Sequence, residues 1–422
     1  MQMIASSSRL CRSSKSGRRF HLIAEIAILY VSLIILFVGL EWLAYSVPHS
    51  WFAQNAVHSA EQISGEDHKR GFALYRVDGF TDCLMVSMSV TSYDQESSIN
   101  NAMRNPLCYE RGKTVEAVTK MAGGDYSGRD ISDYGRYWHG YQLPLRLMLC
   151  AGSIEFIRVV NYIVLIGLFI AACWLIVRRR GWIAGLLFAV VLVLLGLPII
   201  PKCMQFSSCF YIFLIAIIVM LGAEKRFSCF SNQVLAFFAI GAVTSFLDLL
   251  TAPLVTLCFP LAIILYSKTR DIKLRSCVLL SCSWGAGYAL TWASKWVLAT
   301  LITGMDILTD AFVNAGVRIN GAVNQSWMLE MFVAKWFMPV FATLFILFLL
   351  ICYMAGGRKF TKRNAYLLLI ALMPVGWYLV LQNHSIIHFW FVWRSLGATL
   401  FCSLLYLCQI LSSRSSVICK KT

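Results

Sequence analysis

The sequence has little charge for its length. Of its 422 residues, 14% are charged and 59% are hydrophobic, and this balance excludes an ordinary soluble domain. Apolar runs of about 20 residues recur along the chain, and a helix of that length spans a bilayer core of about 30 Å. The sequence therefore predicts an all-α polytopic integral membrane protein, a multi-pass protein of the plasma membrane.

Metal-binding cysteine motifs are also missing. The chain has 15 cysteines but no CxxC pair, and most of them stand singly within apolar runs. We therefore predict no zinc or iron–sulfur site and interpret most cysteines as small packing residues. Cys83 and Cys108 lie in a polar segment, where they could form a disulfide only if that segment faces an oxidising compartment.

Apolar length predicts ten transmembrane helices. The chain is divided into a basic tail (1–20), the first helix (21–45), a long loop (46–155), six helices (156–298), a second loop (299–333), three helices (334–411) and a tail (412–422). The ten spans are 21–45, 156–177, 181–200, 207–223, 232–249, 252–267, 276–298, 334–354, 365–382 and 389–411. The first is too long for the core of a signal peptide, so we expect it to be retained.

Basic residues indicate how these helices are oriented. The two tails and the connections at 178–180, 224–226, 268–275 and 358–363 hold 21 Lys and Arg but only two acids, Glu224 and Asp271. The long loop 46–155 holds ten basic and thirteen acidic residues. Because basic segments stay inside, both termini are expected to be cytoplasmic and both long loops extracytoplasmic. The net charge of +16 is thus an orientation signal and argues against nucleic acid as a partner; the short tails favour a bacterial protein.

Two acids in the long loop are candidates for catalysis. In YRVDGFTDCLM, Asp78 and Asp82 are four residues apart and share one face if the segment is helical. Such a pair could act as a general base or hold a divalent cation. The alternative is a solvated loop in which one Asp caps a helix.

The stretch DYGRYWHGYQL combines rings with two basic side chains. Arg136, Tyr137, His139 and Tyr141 come just before the second span. An interfacial aromatic belt explains the rings but does not explain Arg136 and His139. Aromatic faces stack on sugars and Arg binds phosphate in a fork, so we predict that these four residues bind substrate.

Further polar residues fall at the same outer level. Asp248 ends the fifth span, and Lys295 lies near the outer end of the seventh between Trp292 and Trp296. Since charges at membrane depth find partners, a Lys295–Asp248 pair or a snorkelling Lys295 would be structural. The functional alternative makes Lys295 an anion ligand and both residues part of a substrate site.

QNHSIIHFWFVWR opens the last span. His384 and His388 are four residues apart and Arg394 lies deeper; no acid stands between the histidines as in a zinc motif. We predict that His384, His388 and Arg394 bind a ligand, and that they approach Arg136 and His139 around a cleft for a phosphate-bearing lipid headgroup. An Arg394–Asp248 bridge would be the structural alternative.

A last pair of acids lies in the second long loop. Asp306 and Asp310, in GMDILTDAF, would also share a helical face. We interpret them mainly as solvated loop residues.

This layout resembles the GT-C class of polytopic glycosyltransferases, in its cytoplasmic N-terminus, its large acidic loop after the first span, its many spans and its later outer loop. The resemblance implies transfer of a sugar from a polyprenyl-phosphate carrier to an envelope polysaccharide or lipid acceptor on the outer face. It also implies an acidic base that deprotonates the acceptor and a cation that holds the phosphate.

Two other classes of function stay open. A flippase or transporter for lipids or lipid-linked sugars is one, although the spans are apolar at their centres and this disfavours transport of ions or polar solutes. A non-enzymatic assembly factor for the cell envelope is the other.

Overall fold

The computed structural model describes residues 15–66, 70–72, 75–110, 113–125, 130–266, 274–320 and 365–418. This part of the chain is almost entirely helical. In chain order the helices are α1 (Lys15–Ser46), α2 (Ala53–Ser64), α3 (Gly79–Val90), α4 (Ser98–Arg104), α5 (Thr114–Ala122), α6 (Gln142–Ala151), α7 (Ile154–Arg180), α8 (Trp182–Leu194), α9 (Met204–Gly222), α10 (Phe230–Leu247), α11 (Leu254–Leu265), α12 (Leu274–Thr303), α13 (Ile307–Asn320), α14 (Ala365–Val380), α15 (Gln382–Ile387), α16 (Phe389–Val392) and α17 (Leu396–Ile418).

Five helical segments are long and apolar enough to cross a membrane. They are Phe20–Ser46, Ile154–Arg180, Met204–Gly222, Phe230–Leu247 and Trp390–Gln409. Shorter apolar helices are Gly79–Val90, Trp182–Leu194, Leu254–Leu265 and Tyr366–Val380. These helices support a membrane protein. Each predicted span within the described residues overlaps a helix, but the ten spans are not confirmed; the predicted span 334–354 lies outside the described residues.

Two of the predicted spans are shorter than expected. The predicted span 181–200 is helical only as α8, because Gly196 follows with φ of +88° and the chain then forms a short 3₁₀ helix at Ile200–Lys202. The predicted span 252–267 is α11, with 12 residues. Helices of 12 and 13 residues rise only about 18–20 Å, less than the bilayer core. The described residues therefore do not contain ten full-length spans.

The segment between α1 and α7 forms its own helical layer. Helices α2, α3, α5 and α6 pack around an apolar cluster that includes Phe52, Val86, Val118 and Leu149. Helix α4 packs with Ala102 and Met103 in a second cluster, which includes Phe37 of α1 and Ala299 of α12. Two small antiparallel sheets complete the layer, β1 (Arg70–Phe72) with β2 (Tyr75–Arg76) and β3 (Pro106–Cys108) with β4 (Ile131–Asp133). Cys83 and Cys108 are both buried in this layer.

Aromatic rings fill the centre of the larger bundle. Phe188 of α8, Phe213 of α9, Phe259 of α11 and Phe401 of α17 contact one another, with ring centroids 5.1 Å apart for Phe213 and Phe259 and 5.4 Å apart for Phe259 and Phe401. Rings at this spacing pack favourably. Helix α11 is buried inside the bundle almost throughout, which explains why it is apolar all round. Helix α8 buries one face and exposes Trp182, Leu186, Val190 and Val193 on the other.

Glycines set the approach of α10 and α12. A Cβ built at Gly241 would lie 2.0 Å from the carbonyl oxygen of Trp284, and one built at Gly287 would lie 2.1 Å from that of Phe238. The two backbones can therefore approach only because neither residue has a side chain. Helix α12 also packs against α4, where Lys295 contacts the carbonyl of Ala102.

Candidate functional site

A buried ion pair joins the first helix to α12. Lys295 Nζ donates to Glu41 Oε2 at 2.6 Å and to the carbonyl of Ala102 at 2.8 Å. Glu41 Oε1 accepts the backbone N–H of His139 at 2.6 Å, and the two charged side chains are 1% and 0% exposed. The expected Lys295–Asp248 pair and a snorkelling Lys295 are therefore both wrong, and we leave Lys295 out of the candidate site. Glu41 was missed because one acid in an apolar run gives no sign of its partner.

Asp248 shapes a turn and does not pair with a cation. Its Oδ1 accepts from the Cys209 thiol at 3.2 Å and from the backbone N–H of Thr251 at 3.1 Å. The turn holds Leu250 at φ of +59°, and the carbonyl of Leu250 contacts His384 Nε2 at 3.0 Å. Asp248 is thus linked to the histidines through the backbone that it positions.

Of the four residues predicted in the aromatic stretch, two lie in the interior. His139 and Tyr141 are 2% and 7% exposed, and His139 Nδ1 lies 3.2 Å from the Tyr141 hydroxyl. Burial lowers the pKa of His139 to about 3, helped by the nearby Lys295 charge, so the ring is neutral. These two side chains pack behind the surface that Arg136 and Tyr137 form.

Arg136 and Tyr137 are half-buried and both contact α13. Arg136 Nη1 bonds Asp310 Oδ2 at 3.0 Å, and its guanidinium lies 4.5 Å from the ring centre of Tyr134. The Tyr137 hydroxyl accepts from Arg318 Nε at 2.9 Å. Asp310 is therefore an ion-pair partner rather than a solvated loop residue, whereas Asp306 is exposed and accepts from the backbone N–H of Thr309 at the start of α13.

Arg318 joins the two sequence-distant segments. Besides the Tyr137 hydroxyl it donates from Nη1 to His384 Nδ1 at 2.6 Å. Because Nδ1 accepts, the hydrogen of His384 lies on Nε2 and points to the Leu250 carbonyl. Arg318 was not among the residues predicted from the sequence, although its spacing of four from Asn314 and eight from Asp310 is a helical signal.

From His384 the contacts continue along residues 384–390, which lead into the last span and are called its lead-in below. The His384 and His388 rings are 4.7 Å apart, and His388 and Trp390 are 5.3 Å apart. Burial lowers the pKa of His384 to about 3 and that of His388 to about 4, and the Arg318 charge adds to both shifts. Two neutral rings can therefore stand side by side next to an arginine.

Trp390 connects this lead-in to the acids of the long loop. Its indole Nε1 donates to Asp78 Oδ2 at 3.2 Å, while 42% of its surface stays exposed. Asp78 also accepts from the hydroxyl of Thr81 at 3.0 Å and from its backbone N–H at 3.2 Å. Asp78 is thus the N-cap of α3, and it also contacts Trp390, far along the sequence. Burial raises its pKa.

Asp82 lies one turn further into α3 and is completely buried. Its Oδ1 accepts the backbone N–H of Met204, the first residue of α9, at 3.0 Å, and its Oδ2 has no hydrogen-bond partner. Burial raises its pKa well above the usual value, against the opposing field of Arg158. A carboxylate at a helix N-terminus is favourably placed, which gives Asp82 a positioning role.

Arg394 is a buried cation, 2% exposed. Among the described residues, Nη1 makes only long contacts, 3.4 Å to the carbonyl of Trp390 and 3.5 Å to that of Phe391, and Nε has no hydrogen-bond partner. Its guanidinium lies 3.8 Å from the ring centre of Phe206. In the described part of the chain it forms no ion pair with a carboxylate, so the Arg394–Asp248 bridge is absent there. The Arg394 charge nonetheless reaches Asp78 and partly offsets the rise in its pKa.

These contacts form one continuous feature, which we call the polar band. Its members are Arg136, Tyr137, Asp310, Arg318, His384, His388, Trp390, Asp78 and Arg394. They come from four separate parts of the sequence, 78, 136–137, 310–318 and 384–394. Within the described ranges no group of three or more His, Cys, Asp or Glu is placed to hold a metal ion, so the band can offer hydrogen bonds, stacking faces and positive charge.

Comparison with protein-family models, with curated proteins and with solved structures found no match for this chain. Its function must therefore be argued from the polar band itself.

Proposed function

We propose that the protein is a membrane glycosyltransferase that takes a sugar from a polyprenyl-phosphate carrier and passes it to an envelope polysaccharide or lipid on the outer face. The observation that carries the proposal is Arg394. A buried guanidinium costs several kcal/mol unless it is paired, yet its described partners are two distant carbonyls. A phosphate would supply both the missing charge and the missing acceptor for Nε.

Asp78 and Trp390 supply the other requirements of such a reaction. Asp78 is nearly buried and its pKa is raised, which makes its carboxylate a stronger base. The partly exposed Trp390 offers a ring face next to it, suited to the CH face of a sugar. Carboxylate, ring and cation therefore meet at one end of the polar band.

In this mechanism the Asp78 carboxylate takes the proton of the acceptor hydroxyl. The acceptor oxygen forms a bond to the anomeric carbon while the bond from that carbon to the phosphate oxygen breaks. The leaving phosphate keeps the electron pair, and Arg394 stabilises its added negative charge. Asp82 acts as a positioning residue, because it holds α3 against α9.

Binding and transfer can be tested separately. Purified protein is titrated with radiolabelled polyprenyl phosphate, and polyprenol of the same length is the control ligand. We expect Arg394→Gln to weaken phosphate binding roughly tenfold to a hundredfold, since a charged hydrogen bond contributes about 1.5–3 kcal/mol. Arg146→Gln is the matched control: Arg146 is also buried, with an Nε that has no hydrogen-bond partner among the described residues, but its Nη1 makes a short bond of 2.7 Å to the carbonyl of Ala44.

Asp78→Asn separates an enzyme from a flippase or an assembly factor. We expect this variant to bind polyprenyl phosphate as the parent does. When it is given polyprenyl-phosphate hexoses and an acceptor fraction, it should transfer no hexose and so set free no polyprenyl phosphate. If polyprenyl phosphate and polyprenol bind equally well, or if Arg394→Gln binds polyprenyl phosphate as the parent does, Arg394 is not a phosphate site. If Asp78→Asn transfers the hexose at the parent rate, Asp78 is not the general base.

A further inference from the structure

Helix α13 has its polar and apolar faces reversed relative to an ordinary surface helix. Asp310 and Arg318 lie on the face turned toward the protein, where they bond Arg136 and Tyr137. The opposite face carries large apolar side chains in the open. Exposed fractions are 65% for Phe312, 60% for Val313, 56% for Val317 and 42% for Ile319.

The position of α13 in the fold indicates what surrounds its apolar face. It follows α12 after a turn in which Gly304 takes φ of +71°, and its ring Phe312 contacts Trp296 of α12 at 5.6 Å between centroids. The last turns of α12 expose Val297 by 45% and Leu301 by 74%.

Helix α12 runs along α10, one of the five helices able to cross a membrane, and the two approach closely at Gly241 and Gly287. If α10 crosses the membrane, α12 beside it presents these exposed apolar side chains to lipid. The apolar face of α13 continues that surface beyond the turn at Gly304.

We propose that α13 is an in-plane membrane helix whose apolar face enters the boundary between lipid headgroups and acyl chains. With 14 residues it rises about 21 Å, too short to cross the bilayer core. An amphipathic helix of this kind lies along the interface with its apolar face buried about 5–10 Å deep. The partner is thus a lipid surface, and this holds whether or not the protein transfers a sugar.

This arrangement ties the polar band to the membrane. Lipid holds one face of α13, and Asp310 and Arg318 on the other face fix Arg136, Tyr137 and His384. A carrier lipid that diffuses laterally toward the band at this point meets α13 first.

Site-specific quenching tests the inference. Cys11, Cys229, Cys282, Cys352 and Cys419 are replaced by serine, which leaves the buried and half-buried cysteines of the described chain in place. A single cysteine is then introduced as Phe312→Cys, Val313→Cys or Val317→Cys and labelled with an environment-sensitive fluorophore. The protein is reconstituted into phosphatidylcholine–phosphatidylglycerol vesicles. The control is Ser132→Cys, because Ser132 is exposed on β4.

Lipids brominated on the acyl chain are expected to quench the labels on α13 at least twofold, and aqueous iodide is expected to have little effect. The label at position 132 should respond in the opposite way. Three positions on one face keep the test informative if one variant fails to fold. Quenching by iodide at all of them would overturn the proposal, and so would protection from both quenchers, because protein rather than lipid would then cover the face.

Discussion

Glu41 and Arg394 are both charged side chains held away from solvent, but they are satisfied in different ways. Glu41 has a lysine at 2.6 Å and a backbone N–H at the same distance. Arg394 has two long contacts to carbonyls and an Nε without a partner. Since buried charges need compensation, the first arrangement is complete within the fold. We propose that an anionic ligand completes the second, and this contrast is why we assign the first to structure and the second to function.

The Glu41–Lys295 pair gives a prediction about stability. Glu41→Leu or Lys295→Met alone leaves one buried charge without its partner, so we expect the free energy of unfolding to fall by about 3–5 kcal/mol. The double variant should be less destabilised than either single variant, because no charge is left unpaired. The two single variants and the double variant are heated in detergent, and the fraction of protein that stays soluble and monodisperse measures their thermal stability.

The exposed pair Glu110–Lys113 is the control for this experiment. Its side chains are 41% and 58% exposed, and surface pairs contribute about 0–1 kcal/mol, so Lys113→Met should change little. A double variant that loses the sum of the two single losses would show that Glu41 and Lys295 act independently, which contradicts the structure.

At the scale of helices, the approach of α10 and α12 depends on two missing side chains. Gly241 and Gly287 each face a backbone carbonyl at a distance that a Cβ cannot tolerate, whereas Gly285, on the same helix as Gly287, has no atom within 4 Å of its built Cβ. The three glycines are in helix interiors, where Ala is the better helix former. Only packing distinguishes them.

This difference predicts opposite effects of the same substitution. Gly241→Ala and Gly287→Ala should each lower the free energy of unfolding by about 1–3 kcal/mol or more, because the backbones must separate. Gly285→Ala should be neutral or stabilising by up to about 1 kcal/mol. Melting temperatures in one detergent compare the three, and equal effects at Gly285 and Gly287 would contradict the close crossing.

The lead-in to the last span shows how an element departs from its sequence pattern. A single helix 389–411 is the prediction, and in the structure this range is α16, a 3₁₀ turn at Trp393–Ser395 and α17, which follow one another without a gap. The Tyr378 hydroxyl bonds the carbonyl of Val392 at 2.8 Å and so satisfies a backbone group at this turn. The irregular backbone lets Trp390 reach Asp78 while Arg394 remains buried.

At the scale of the whole molecule, the polar band and the basic connections lie in different parts of the chain. The band is built by residues that the charge pattern assigns to the outside, and the basic clusters are assigned to the inside. Arg179 is exposed just before the turn between α7 and α8, and Ser132 is exposed on β4. The orientation of these two residues is a prediction from the sequence.

Accessibility labelling in intact cells tests this orientation. With a single cysteine at each position, Ser132→Cys should react with a membrane-impermeant maleimide from outside. Arg179→Cys should react only after the membrane is permeabilised. Both positions are exposed, so burial cannot explain a difference. Labelling of position 179 in intact cells would reverse the topology and place the polar band on the cytoplasmic face.

The sequence by itself determined that the chain is helical and membrane-embedded and where most of its helices lie, because apolar length and the need to satisfy backbone hydrogen bonds act locally. It also selected most members of the polar band. It did not determine which charges meet. Lys295 lies 254 positions from Glu41 and Arg318 lies 66 positions from His384, so these pairs depend on how the helices cross.

The length of α11 was also decided by tertiary structure, because a helix buried among other helices can be apolar without crossing the bilayer. The roles of Lys295 and Arg394 differ for the same reason. Both are single cations in apolar runs, and only the packed structure gives one of them a carboxylate and leaves the other facing two carbonyls and an aromatic ring.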